Sequence, residues 1–184
     1  MNKLLGLVPL AMVACQVQAA PRFPYSAVQA QAFLGHLAAH VMVINSDLTL
    51  RKKTPANAFD LLTHYPLPVD KAEEYKRNGH IVNKNDDIAD FATYRIKDYA
   101  LTNEKNEVVR IQDDEEDSSL QDFALWSYDK VLSGQLGLSV KLDKRFERLK
   151  GHITLVFELP GKLTREVRIP VQLSITDEDP RPGI

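Results

Sequence analysis

Residues 151–175 read GHITLVFELPGKLTREVRIPVQLSI, and this stretch decides the fold. Ile153, Leu155, Phe157 and Leu159 fall at alternate positions, as do Val167, Ile169, Val171, Leu173 and Ile175. A period of two puts each set on one face of a strand. Between the sets lies Pro160-Gly161, where proline pre-sets the first central dihedral of a turn and glycine accepts the positive φ of the second, so a type II turn is expected. Upstream, Leu136, Leu138, Val140 and Leu142 repeat the alternation. Three consecutive strands with one apolar face each predict an antiparallel sheet, packed on one side and wet on the other. Pro170 interrupts the last strand. Proline cannot donate to a ladder, so that strand is expected at an edge or with a bulge.

Working outward, the period changes at Ser26. Val28, Phe33, Leu37, Val41 and Ile44 lie mostly three or four apart with alanines around them, and Ser26 can cap the start, which predicts a helix able to cover the sheet. Gly35 weakens it by about 1 kcal/mol relative to alanine. Leu48 to Lys52 reads as a short strand. Thr54-Pro55 reads as a helix start running to His64, with proline at the first helical position. Tyr65-Pro66-Leu67-Pro68 breaks it. Asp70 caps a polar helix from Lys71 to Asn78 that Gly79 ends. A helical turn near Ile88 precedes strands at Tyr94–Thr102 and Glu107–Ile111, joined by the turn-like Asn103-Glu104-Lys105-Asn106. Strand character resumes from Phe123 to Leu132, with Gly134 turning the chain into the Leu136 strand. Asp143 to Lys150 is a charged connection whose Phe146 and Leu149 face inward.

The expected class is α+β: an antiparallel β-sheet or immunoglobulin-like β-sandwich over the C-terminal two-thirds, preceded by two or three helices. The expected division is 1–19 signal peptide, 20–91 a helical part packing on the sheet, 92–176 the sheet or sandwich, and 177–184 a flexible tail.

The signal peptide rests on Lys3 as a basic start, Leu4 to Ala14 as an apolar segment too short to span a bilayer, and Val17-Gln18-Ala19 as a cleavage site. Met12-Val13-Ala14-Cys15 offers a rival, lipoprotein-type cleavage that would leave a lipid anchor on Cys15. Either way the chain is expected to be exported into a bacterial periplasm, and no second apolar segment is long enough to span a membrane. Cys15 is the one cysteine in the sequence, so the mature domain has neither a disulfide nor a thiol nucleophile. Twenty-three basic residues against 25 acidic ones leave a near-neutral chain, which argues against a nucleic-acid partner.

His36 and His40 are the sharpest chemical lead. At i and i+4 on the best helix, both imidazoles can project to one side, the spacing that ligates zinc, copper or haem iron. The segment HLAAH has the spacing of the zinc-protease motif, but Leu37 stands where that chemistry needs a glutamate base. A third ligand would come from His64, His80 or His152. The run DDEED at 113–117 lacks the spaced ligands of a calcium loop and reads as a solvated acidic loop. No nucleophile elbow, phosphate-binding loop or dinucleotide fingerprint is present. Trp126 and Tyr128, two apart on a strand, suit a partner platform or the core, and the edge at Pro170 suits addition of a partner strand. Two functions follow: an exported, non-catalytic periplasmic or envelope-associated module binding a protein partner, or a metal-binding protein or metal-dependent enzyme using His36 and His40 with zinc or copper.

Overall fold

The computed structural model describes residues 23–67, 69–77, 87–112, 120–128 and 131–178. In chain order the elements are α1 (Ala27–Ala39), β1 (Met42–Asn45), α2 (Asp47–Lys52), β2 (Ala56–Pro66), α3 (Val69–Arg77), a 3-10 turn (Ile88–Phe91), β3 (Thr93–Asn103), β4 (Val108–Val109), β5 (Ile111–Gln112), β6 (Gln121–Tyr128), β7 (Val131–Phe146), β8 (Arg148–Leu159) and β9 (Leu163–Ser174). They build two sheets. One is five-stranded, in the order β1-β2-β7-β5 with β6 also paired to β7, and the other is four-stranded, in the order β4-β3-β8-β9. Every pairing is antiparallel.

The C-terminal hairpin forms as its alternation requires, from Arg148 opposite Ser174 to Leu159 opposite Leu163. Gly161 takes a φ of 84° in its turn, followed by Lys162 at 62°. The edge expected from Pro170 is also present, since β9 ends the order of its sheet. The turn at Asn103–Asn106 forms because the Asn103 side-chain oxygen accepts from the backbone N–H groups of Lys105 and Glu107, a local bond that favours turning over continued strand.

The alternating set on β7 does something the sequence alone does not show. β7 does not lie beside β8. The chain leaves one sheet at Phe146 and enters the other at Arg148, so Leu136, Leu138, Val140 and Leu142 join Ile153, Leu155 and Phe157 in one shared core from the opposite sheet. The corner at Glu147 is latched from two sides. Glu104 Oε2 accepts from the Glu147 and Arg148 N–H groups at 3.0 and 3.3 Å, and Ile175 N–H donates to the Glu147 carbonyl at 3.0 Å. The backbone bond from Glu147 is the main reason the Glu104 carboxyl lies below its ordinary range.

Ser26 caps α1 with a reciprocal bond to Gln29. Ala30, Phe33, Leu34 and Leu37 of α1 are buried, and the helix contacts β2 in one sheet and β8 and β9 in the other. It therefore bridges the two layers.

Several expectations are corrected. The helix from Ser26 stops at Ala39, and Val41 to Ile44 belong to the entry and body of β1, because a Val-Met-Val-Ile run prefers a pleated surface. Val28, read as part of the apolar stripe, is 80% exposed. Leu48 to Lys52 is helix rather than strand, with Asp47 in its first turn, Arg51 and Lys52 in its last, and Lys53 ending it in the left-handed region. The helix expected from Thr54-Pro55 to His64 is strand β2. Its residues from Phe59 to Thr63 are buried on both faces, which erases the alternation that marks a half-exposed strand. Gly134 lies within β7, not at a turn. One helix, α1, precedes the sheets, and α2 and α3 are interleaved with strands, so residues 20–91 carry sheet as well as helix. Asp177 is held at the start of the tail, bonding Ser174 N–H through Oδ2 and Lys53 Nζ through its carbonyl. Residues 179–184, the acidic run at 113–117, and the signal segment with Cys15 lie outside the described residues.

Candidate functional site

One face of α1, from Gln29 to His36, carries an open groove of about 330 Å³, lined by Tyr25, Gln29, Ala32, Phe33, His36, Tyr65, Pro66, Leu67, Val69 and Ile88. Each wall has a reason to be where it is. Phe33 is on the buried side of α1 and meets the Tyr65 ring edge-on, at 5.0 Å and 74°. The Tyr65 hydroxyl donates to Asp87 Oδ2 at 2.7 Å, and the same carboxylate caps the 3-10 turn that carries Ile88. Gly134 on β7 leaves room for that ring, since a Cβ there would sit 2.8 Å from it. Tyr25, a wall of the groove, packs ring against ring with Phe23 and Phe91, the three centroids lying 5.4 to 6.3 Å apart. Val69, at the start of α3, is 80% exposed on the rim. The walls are therefore apolar and fixed, with Gln29 and His36 as the polar groups, a composition typical of binding clefts.

A second feature adjoins it. The rings of His36 and His40 lie nearly parallel, 15° apart in plane with centroids at 5.7 Å, and His40 meets His64 of β2 at 4.4 Å. The Nδ1 of His40 bonds the His36 carbonyl at 2.8 Å. Burial, then the His40 and His36 imidazoles, hold His64 below the ordinary histidine value of 6.5. The sign follows from linkage: the unfolded chain takes up this proton at higher pH than the folded chain does. His64 thus contributes stability that is whole above pH 6.5 and is lost as pH falls through that value towards the folded one. Urea midpoints measured between pH 7.5 and 5 are expected to fall on acidification, and to fall less in His64→Gln. An equal fall in the variant would remove His64 as the cause.

The other residues singled out from the sequence are scattered. Trp126 and Tyr128 stand on β6 opposite Ser133 and Val131, and their side chains lie outside the described part. Pro170 is exposed on edge strand β9, opposite His152. His152 is in the second sheet, 3.5 Å from Asp98, and is not brought to the histidine pair. His80 lies outside the described residues. Of the two described candidates for a third histidine, His64 is the one brought to His40. Among the described residues, no group of three His, Cys, Asp or Glu side chains is placed so that it could hold a metal ion. No helix among them is long and apolar enough to cross a membrane. The groove itself was not foreseen. Its residues come from four separate elements, and Tyr65-Pro66-Leu67 reads locally only as a helix breaker.

No family model matches the chain, and no curated protein matches it. Among solved structures, a DUF4426 family protein from Pseudomonas aeruginosa PAO1 is similar at 8% identity and a TM-score of 0.25, covering 74% of this chain and 96% of that one. At that TM-score the likeness carries neither fold nor function over to this chain.

Proposed function

We propose that this is an exported, non-catalytic module of the bacterial envelope that holds an apolar side chain of a protein partner in the groove beside α1. The observation that carries the reading is the groove: seven apolar or aromatic lining residues, an exposed Val69 at the rim, and two polar groups placed to orient what enters. Its volume of about 330 Å³ is at the small end for a ligand cleft, which favours one anchoring side chain over a large cofactor. The signal-like start supports export. The β9 edge at Pro170 is a second surface where a partner strand could lie. Proline and the charged neighbours Arg165, Glu166 and Arg168 make it a guarded edge, and this ranks it below the groove.

The test uses protein recovered from the envelope of a producing bacterium. A mature N terminus at Ala20, or an acylated Cys15, fits export, whereas an intact Met1 overturns it. The recovered protein is then titrated with an apolar fluorescent probe, and a photo-reactive residue at Ala32 is used to trap its neighbour in cells. The probe is expected to bind and to be displaced by the trapped partner. In Ala32→Glu, which puts a charge on an exposed groove wall, binding is expected to weaken by about tenfold or more, the factor that about 1.4 kcal/mol represents. Probe binding unchanged by Ala32→Glu would remove the groove as the site.

A further inference from the structure

His36 and His40 leave one helix face, and His64 arrives from a strand almost thirty residues on. We propose that these three imidazoles form a binding site for a divalent transition-metal ion of the imidazole-preferring class, Zn²⁺ or Cu²⁺. Imidazoles sharing one ion through metal–nitrogen bonds of about 2.0–2.1 Å have ring centres about 5 Å apart. The two contacts in the cluster, 5.7 and 4.4 Å between centroids, bracket that spacing. His36 and His40 hold the i, i+4 relation through the C-cap of α1, the helical spacing at which two histidines reach one ion.

The hydrogen bond at His40 adds a second, independent pointer. Its Nδ1 faces the His36 carbonyl at 2.8 Å. A carbonyl can only accept, so that nitrogen is the protonated one, which leaves Nε2 as the nitrogen able to ligate. A backbone carbonyl on the far nitrogen is the usual way a ligating histidine is oriented. Thr63, the residue before His64, donates its hydroxyl to the Leu37 carbonyl at 2.6 Å. That bond ties β2 to the last turn of α1, so the strand that carries the third imidazole is fixed to the helix that carries the other two. As placed in the free chain, the three rings do not form a group that could hold an ion. Closing around an ion takes side-chain rotations at His36, which is exposed, and at His40, which is half-buried. His64 is the half-buried anchor.

The site is distinct from the partner groove in chemistry, although His36 touches both. With three protein nitrogens it leaves a coordination position open, as catalytic and transport sites do and closed structural sites do not. Cu²⁺ is expected to bind more tightly than Zn²⁺ at such a set.

The test titrates the untagged, chelator-treated full chain with Cu²⁺ and with Zn²⁺, by calorimetry and by thermal unfolding. One equivalent is expected to bind and to raise the unfolding temperature. Copper resonance spectra are expected to show coupling to three nitrogens. His64→Gln should cost at least the roughly tenfold that loss of an outer orienting group costs at a metal site, and His152→Gln, in the other sheet, should cost nothing. Coupling to two nitrogens or fewer would overturn the trio in the native chain, without appeal to any variant's folding. So would affinity unchanged in His64→Gln, an equal loss in His152→Gln, or no binding above buffer.

Discussion

Gly151→Ala is expected to unfold this protein or leave it barely folded. Gly151 stands in β8 at a φ of 144°, a region that side-chain-bearing residues rarely adopt. A Cβ added there would lie 1.8 Å from the Ala100 carbonyl oxygen and 3.1 Å from Leu101 Cα. Both are backbone atoms of the neighbouring strand β3, so no rotamer change relieves the clash. The strands themselves must part. β3 and β8 are the two interior strands of the four-stranded sheet, and their parting also loosens the pairings on each side. The cost is expected at about 4 kcal/mol or more, the range reserved for broken backbone geometry and core damage. Against a total stability of about 5–15 kcal/mol, that is between about a quarter and most of what holds the domain. Urea unfolding followed by near-ultraviolet dichroism measures it. Gly35→Ala serves as the matched control, since a Cβ on that helical glycine meets nothing within 4 Å and should gain up to about 1 kcal/mol. A loss below about 1 kcal/mol for Gly151→Ala would mean that β3 does not approach β8 so closely.

Leu37→Ala is expected to cost about 2–5 kcal/mol. Leu37 is fully buried in the cluster that joins both sheets, and α1 is the element that bridges them. Truncation removes apolar burial and leaves a cavity between layers that cannot close without moving the helix. It also loosens the turn whose carbonyl receives Thr63, the turn from which His36 faces the groove. The variant is therefore expected to lose stability and, at temperatures where it remains folded, affinity for the apolar probe. Val28→Ala, on the same helix at a position 80% exposed, should stay within about 0.5 kcal/mol of the parent. If Leu37→Ala and Val28→Ala unfold at the same urea concentration, α1 does not fasten the two layers.

Both effects depend on where in the sequence a signal is local. The turn at Pro160–Lys162 and the strands beside it are legible because alternation and turn chemistry are carried by neighbouring residues. So are the cap at Ser26 and the turn that Asn103 closes on its own backbone. β2 is not legible. It is central, covered on both faces from Phe59 to Thr63, and its Thr54-Pro55 start is equally a helix start. α2 is six residues long, too short for any period to show. The His36–His40 pair could be read from its spacing, and His64 could be named only as one of three candidates. The groove had no sequence signal, because its walls meet only after α1, β2, α3 and the 3-10 turn have packed.

By itself the sequence determined what neighbouring residues can enforce: the C-terminal hairpin, the edge position that Pro170 demands, the start of α1 and the imidazole pair on it. The tertiary structure alone decided which sheet each strand joins, that β7 faces β8 across the core instead of lying beside it, and which third histidine meets the pair. The physical reason is that an apolar face specifies burial without specifying a partner. Many surfaces would satisfy Leu136, Leu138 and Val140 equally well locally. The choice among them is made by packing the whole set at once, around a corner at Glu147 that the Glu104 carboxylate and the Ile175 N–H hold in place.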